Sequence, residues 1–315
     1  MIFWLLPVLL LLFFAAFGFG MLYYVCGRSD RPEGWEEKRV AESGNAAWQE
    51  LAAAGRAWLA GRESEEITVQ SDDGFVLHGL LIPHIAPRAT VILFHGWRSS
   101  WEMDFMCILP FLHSLRLQTL LVDERAQGDS EGRWITYGVR ERTDVPVWVD
   151  YAVRRFGETH PIFLQGLSMG AATVLMASDL DLPENVRGVI ADCPFTSPAA
   201  ISKKVLREDM HLPMAVYPFL ALGARLFAGF GLREADAAEA VKTNDLPVLL
   251  IHGEDDRFVP CDMSRQIAAA RPGIRLETFP GAGHGLSFLA DEARFTAAVD
   301  DFLARVLEEK TPAED

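Results

Sequence analysis

Gly166-Leu167-Ser168-Met169-Gly170 places a serine between two glycines at the spacing of a strained nucleophile. The pattern G-x-S-x-G is short, so its flanks decide what it means. Before it runs Pro161-Ile162-Phe163-Leu164-Gln165, which reads as a strand, and after it Ala171-Ala172-Thr173-Val174-Leu175-Met176-Ala177, which reads as a helix. A strand that turns sharply into a helix at two small residues pushes the serine into an exposed position. It also aims a helix N-terminus at any negative charge that develops there. The chemistry expected of such a serine is nucleophilic attack on a carbonyl.

A hydroxyl is a weak nucleophile until a base takes its proton, and the base needs an acid to orient it. After an elbow of this kind the expected chain order is serine, acid, histidine. Three histidines follow Ser168: His211, His252 and His284. His211 falls in an irregular stretch and His252 at a strand end, whereas His284 lies in Gly281-Ala282-Gly283-His284-Gly285, a loop with room to reach a nucleophile. His284 is therefore the expected base. Glu254, Asp255 and Asp256 are neighbouring candidates for the acid; loop position favours Asp256, with the other two as turn formers.

These side chains need a scaffold that brings distant loops together. Apolar, β-branched runs at Thr90–Phe94, Thr119–Asp123, Pro161–Gln165, Val186–Ala191, Val248–His252 and Arg275–Phe279 read as strands. Helical patterns near 102–115, 139–156, 169–179, 262–271 and 289–308 separate or follow them. Continuous apolar strands alternating with helices predict a mostly parallel, doubly wound α/β sheet covered on both faces. Asp73-Gly74 between Ile67-Thr68-Val69 and Phe75-Val76-Leu77 predicts an antiparallel hairpin leading into it. The interval between the strands near 191 and 248 is too long for one helix; this aromatic, proline-broken segment, about 194–240, is expected to form a small helical lid above the carboxyl ends of the strands, the alternative being a purely structural insertion.

The composition narrows the partners. The 315 residues include 29 Lys and Arg against 44 Asp and Glu, a net charge of −15, which disfavours a phosphate backbone as ligand. The 4 cysteines (Cys26, Cys107, Cys193, Cys261) are scattered and fit buried free thiols. Neither metal-ligand spacing nor a glycine-rich phosphate loop is present, so no metal and no cofactor is expected. The first residues differ from the rest: Ile2 to Val25 carries no charge and ends in Tyr23-Tyr24. That run is long enough to cross a hydrocarbon core of ~30 Å, so 1–26 is expected to be a single transmembrane anchor. Arg28, Arg31, Lys38 and Arg39 follow it with no basic residue before, which favours a cytoplasmic catalytic domain. Residues 27–65 read as a linker and an amphipathic helix bearing Trp48, Leu51 and Trp58; 66–310 is the expected α/β domain.

Several segments together resemble serine α/β hydrolases of the YqkD-like branch, within the broad serine aminopeptidase and esterase superfamily. They are Phe94-His95-Gly96-Trp97, the run from Asp123 through Arg125 and Gly128 to Ser130, Gly166–Gly170, Ile135–Gly138 with Glu141–Asp144, His252-Gly253-Glu254-Asp255-Asp256 to Pro260, and Gly283-His284. In such proteins the aspartate three residues before Val-Pro is the acid, which supports Asp256. The resemblance also implies an oxyanion hole from the backbone N–H groups of Trp97 and Met169, with both side chains shaping the pocket floor. His95 is then an anchor for the oxyanion loop. Relatives usually carry histidine where this chain has Gln127, which implies altered loop hydrogen bonding without loss of activity. The activity implied is that of a carboxylesterase- or lipase-like serine hydrolase working through an acyl-enzyme. The apolar insertion and the N-terminal run favour acyl-ester or lipid-like substrates. The alternatives are a peptidase or amidase of the serine aminopeptidase type, and a catalytically inert, membrane-tethered binding protein.

Overall fold

The computed structural model of the chain describes residues 2–28 and 45–308, with the side chains of residues 2–11 outside that description. Its centre is an eight-stranded sheet of β1 (Glu65–Gln70), β2 (Val76–Ile82), β3 (Ala89–Phe94), β4 (Leu117–Val122), β5 (Ile162–Leu167), β6 (Val186–Asp192), β7 (Val248–Gly253) and β8 (Arg275–Phe279), in the order β1-β2-β4-β3-β5-β6-β7-β8. β1 and β2 pair antiparallel around Gly74, whose φ of 93° the tight turn requires, and β2 joins β4 antiparallel. From β4 to β8 every pairing is parallel. β3, β4 and β7 are buried at every residue, which is why they read as unbroken apolar runs.

The helices are α1 (Ile2–Cys26), α2 (Ala46–Ala60), α3 (Trp101–Asp104), α4 (Leu109–Ser114), α5 (Asp144–Phe156), α6 (Met169–Ala177), α7 (Pro198–Lys204), α8 (Tyr217–Phe227), α9 (Ala237–Ala240), α10 (Asp262–Ala270), α11 (Ser287–Ala290) and α12 (Glu292–Glu308). On one face of the sheet Trp148 of α5 and Val174 of α6 pack with Phe94 and Leu164; on the other, Leu112 of α4 and Phe302 of α12 pack with Phe163 and Ile251. The helix expected near 102–115 is two helices, because Pro110 can only begin a helix and so starts α4. The last expected helix likewise divides at Asp291 into α11 and α12, where φ is −155°.

Sheet order sets the site. Chain progress runs outward from β3 to β4 on one side and from β3 to β5 on the other, so the crevice between the carboxyl ends of β3 and β5 is the switch point where open α/β sheets bind ligands.

Two expectations are corrected. The charge-free N-terminal run is helical, but its last turns pack on protein: Leu22, Val25 and Cys26 are buried. A Cβ placed on Gly223 of α8 would lie 2.5 Å from the Gly18 carbonyl oxygen, so the two backbones cross in direct contact. Among the described residues no helix is long and apolar enough to cross a membrane. An uncharged run looks the same in sequence whether lipid or protein covers it, and here protein covers one side of its last turns. Arg31, Lys38 and Arg39, with the first part of the expected amphipathic helix, lie outside the described residues. That helix is described from Ala46, capped where the Asn45 side chain accepts from Trp48 N–H at 3.1 Å. The second correction concerns the insertion between β6 and β7. Its helix α8 lies on α1, where the Phe14 and Phe219 rings stack at 5.1 Å, and no residue of 194–240 lines the cavity beside Ser168.

Candidate active site

Ser168 follows β5 and caps α6 with φ 55° and ψ −111°, a positive-φ conformation that a residue with a side chain rarely adopts. Its two glycines explain how the turn closes. A Cβ on Gly166 would come 2.3 Å from the Gly170 carbonyl carbon, and one on Gly170 would come 1.9 Å from the Phe94 carbonyl oxygen. Both contacts are with backbone, which cannot yield. The close approach of α6 to β3 therefore depends on the absence of side chains at these two places.

His284 reaches Ser168 from the loop after β8. Its Nε2 is 2.9 Å from Ser168 Oγ, and its Nδ1 is 2.7 Å from Asp256 Oδ2. The other Asp256 oxygen accepts the N–H groups of Phe258 at 2.9 Å and Val259 at 2.8 Å, so the carboxylate is fixed at both ends. Burial works to raise the Asp256 pKa, but hydrogen bonds from His252 and His284 and from the Val259 backbone outweigh it and hold the carboxyl below its usual range. His252, weighed above as a possible base, lies beneath this pair: Nε2 meets the Val259 carbonyl at 2.8 Å and Nδ1 the Ser264 hydroxyl at 2.6 Å. His211 is in the insertion, at a left-handed φ of 53°. Glu254 bonds the Thr278 hydroxyl at 2.7 Å, and Asp255 is exposed. Of the acids and histidines weighed from sequence, the structure brings Asp256 and His284 to Ser168.

Beyond Ser168 lies the loop after β3. His95 is fully buried; its Nδ1 is 2.8 Å from the Gly96 carbonyl, and its Nε2 accepts from Glu124 N–H at 3.3 Å. Gly96 N–H donates to Asp104 Oδ2 at 2.6 Å, while Ser99 Oγ donates to the other Asp104 oxygen at 2.6 Å. A Cβ on Gly96 would sit 3.4 Å from the Ser168 Cβ, so this loop passes directly over the serine and carries Trp97 N–H with it. Met169 is the first residue of α6, and its N–H is one of the donors a helix start leaves without an internal partner. Asp104 gives no signal in the sequence; an acid ten residues past a strand end carries no periodicity, and only the folded loop shows its partner.

The side chains at these two positions differ. Trp97 borders the cavity and stacks on Tyr137 at 6.3 Å, whereas Met169 is buried in the core rather than forming a pocket floor. Gln127 is buried, and neither polar atom of its side chain has a partner. Its loop is held by neighbours instead: Arg125 bonds Asp144 at 2.7 Å and Asp73 at 2.8 Å, and Asp129 N–H donates to Asp123 at 2.9 Å.

A cavity of about 620 Å³ opens beside Ser168 and His284. Met103, Ile108, Phe258 and Phe288 supply much of its wall, and α2 adds Trp48 and Leu51. α2 can approach because Gly55 lies against Met106, where a Cβ would come 2.2 Å from the carbonyl oxygen. The amphipathic face of α2 was visible in sequence, but not the surface it meets.

Among the described residues, ligand atoms of Cys193, Asp256 and His284 lie within 4.8 Å of one another. They suit a metal poorly. Burial pushes the Cys193 thiol well above its usual range, which keeps it protonated, and the imidazole and carboxylate are bonded to each other.

The chain's relatives agree with this architecture. A family model described as the alpha/beta hydrolase fold matches residues 89–232. The uncharacterized protein YqkD of Bacillus subtilis is 26% identical over 247 residues, covering 76% of this chain and 79% of its own. The uncharacterized protein YfhR of Escherichia coli K12 is 25% identical over 231 residues, covering 70% and 73%. Among solved structures, an esterase of Pyrococcus furiosus superposes with a TM-score of 0.64 at 24% identity, over 78% of this chain and 91% of that one, a likeness of fold. Sheet order, strained elbow and these matches lead to one conclusion: the chain has the α/β-hydrolase fold.

Proposed function

We propose that the protein is a serine hydrolase that cleaves carboxylic esters with apolar acyl chains through an acyl-enzyme. The observation that carries this reading is the unbroken contact from Asp256 through His284 to Ser168, 2.7 Å and 2.9 Å, at the mouth of an apolar cavity. Ser168 Oγ attacks the ester carbonyl while His284 Nε2 takes its proton, and the carbonyl oxygen becomes an oxyanion facing Trp97 and Met169 N–H. The C–O bond to the alcohol breaks as His284 returns the proton to the leaving oxygen. Water, deprotonated by His284, then attacks the acyl carbon and frees Ser168 as the acid leaves. Asp256 keeps the proton of His284 on Nδ1 and balances the imidazolium that forms in each step.

The apolar wall beside the serine favours an acyl chain over the charged amino end of a peptide, which ranks ester cleavage above the amidase alternative. The name of the Pyrococcus furiosus neighbour, an esterase, points the same way. Ser168→Ala is expected to lower hydrolysis of p-nitrophenyl esters by roughly 10⁴-fold or more and to abolish labelling by a fluorophosphonate probe. Full turnover by that variant would remove the assignment. Faster cleavage of aminoacyl anilides than of any ester by the unaltered protein would select the amidase reading.

We also propose that α1, uncharged along its length, attaches the protein to a lipid surface, with the domain on the cytoplasmic side as the basic residues after α1 favour. Protease added outside intact cells is then expected to leave the domain uncut.

A further inference from the structure

We infer that α8 of the insertion enters the lipid together with α1, so that the two helices form a single membrane-embedded wedge beside the active site. The inference rests on the lipid attachment proposed for α1 and adds a second element to it.

The two helices cannot be placed in different media. Phe14 and Phe17 both meet Phe219, at 5.1 and 5.7 Å between ring centres, and Phe19 meets Phe227 at 5.2 Å. Between these ring contacts Gly18 and Gly223 cross backbone on backbone, so neither helix can slide or roll without a clash. The ring pairs ascend together in both helices, so α8 runs alongside α1 in the same direction. The partly lipid-exposed stretch of α1 is therefore the stretch that α8 flanks.

The outer surface of the pair is mostly apolar on both helices, with Arg225 in the last turn of α8 exposed and paired with Glu234. Leu12 and Phe13 of α1 are 58% and 62% exposed, and Leu222 and Leu226 of α8 are 52% and 62% exposed. Soluble surfaces seldom gather so many large apolar side chains in one patch. Charge is patterned to match. Residues 212–224 contain no Asp, Glu, Lys or Arg, continuing on α8 the uncharged character of residues 2–26.

Toward the domain the chemistry changes to guanidinium. Arg98 donates to the Tyr24 carbonyl at 2.8 Å, Arg133 lies 4.9 Å over the Trp134 ring that packs on Tyr23, and Arg140 donates to the Gly229 carbonyl at 2.7 Å. Tyr23 and Tyr24 are exposed at the same level. Apolar tip, aromatic ring and basic rim in that order match acyl chains, interface and anionic headgroups. In a chain of net charge −15 this basic rim stands out. The occupant of the apolar face is accordingly a phospholipid bilayer with anionic headgroups. The Trp97 indole, in the loop over Ser168, donates to the Val25 carbonyl at 3.2 Å, so the wedge joins the catalytic loop directly at its base.

The test uses the full chain with an environment-sensitive fluorophore on a single introduced cysteine, at Leu222, at Phe13, or at the fully exposed Ile85 as the aqueous reference. Vesicles of phosphatidylcholine and phosphatidylglycerol are added, with and without lipids carrying a quencher in their acyl chains. The expected result is a blue shift and acyl-chain quenching at both Leu222 and Phe13 and neither at Ile85. Immersion at Phe13 with a water-like signal at Leu222 would overturn the wedge while leaving α1 attachment standing. A water-like signal at both would remove the attachment as well. A blue shift at Leu222 that grows with protein concentration in the absence of vesicles would overturn the proposal in favour of a second copy of the chain. Paired Leu222→Asp and Leu226→Asp substitutions are expected to weaken vesicle binding at least about tenfold while leaving turnover of a short water-soluble ester unchanged.

Discussion

At the carboxyl edge of the sheet, both Asp256 oxygens, both His284 ring nitrogens and both Asp104 oxygens have named partners between 2.6 and 2.9 Å. Where α1 lies on α8, the contacts are ring on ring at 5 to 6 Å and glycine on glycine. The first region is held by directional bonds that tolerate displacements of a few tenths of an ångström. The second is held by shape alone, and among the described residues its outer face has no protein against it. A reaction needs the first kind of order, because a proton must travel along a fixed line. A surface that adapts to a fluid partner needs only the second.

The sharpest way to break this contrast is to change direction without changing shape. Asp256→Asn can keep the bonds from Phe258 and Val259 N–H through its amide oxygen, but it offers His284 Nδ1 an NH₂ group or a rotated side chain. Hydrolysis is expected to fall by about 10³–10⁴-fold with the thermal midpoint changed little. An activity loss matched by unfolding would mean that Asp256 serves the loop and not the imidazole.

Asp104 gives a smaller effect of the same kind. Asp104→Ala frees Gly96 N–H and Ser99, loosening the strap over Ser168. A misplacement of the oxyanion donors is expected to lower kcat by roughly ten- to a hundredfold with KM nearly unchanged. Asp104→Asn, which preserves an acceptor, should restore most of that rate. Equal loss in both variants would refer the effect to charge in the cavity and away from positioning.

The difference between the regions also explains what could be read before the fold was seen. Gly166 and Gly170 are dictated by neighbouring backbone that a Cβ would meet at about 2 Å, so their spacing announces the elbow wherever it occurs. His284 stands in a glycine loop for a different reason, the positive φ of Gly281 (77°) and Gly285 (65°), and Asp256 precedes a turn that its own carboxylate closes. Strands buried on both faces betray themselves by unbroken apolar runs. The wall of the cavity gives no such signal. Trp48 and Leu51 mark an apolar face on α2, yet nothing in their spacing tells which surface that face will meet. α1 failed to announce its partner for the same reason, since apolar composition records burial but not what does the burying. The insertion could be located from its length, whereas its docking on α1 away from the cavity depended on Gly18 and Gly223 coming together in space.

The cavity wall should accordingly respond to volume rather than to bond direction. Trp48→Ala removes a large ring from the α2 side of the cavity, and the kcat/KM ratio of long to short acyl esters is expected to rise by about tenfold. A panel of p-nitrophenyl esters of graded chain length measures this. An unchanged ratio would show that acyl chains lie elsewhere in the pocket.

The smallest effect belongs to a carboxyl inside the polar corner that the proposed reaction does not use. Asp192 ends β6 with its carbonyl bonded to Ser168 N–H at 2.8 Å, and Ser287 Oγ meets its side chain at 3.4 Å. Burial pushes its pKa from 3.8 to about 7, with His252 and His284 opposing the rise. The folded protein therefore holds this proton across a window in which the unfolded chain has released it. Native molecules bind more protons there than unfolded ones, so stability falls as pH climbs from the ordinary carboxyl value through about 7. This is the reverse of Asp256, whose depressed pKa contributes stability that is present above the ordinary value and lost only in acid. Asp192→Asn removes the titration, and the decline in urea stability between about pH 5 and pH 8 should flatten relative to the unaltered protein. A parallel decline in both would show that Asp192 is charged in the folded state, and its two neighbouring imidazoles would then be the groups that offset its burial.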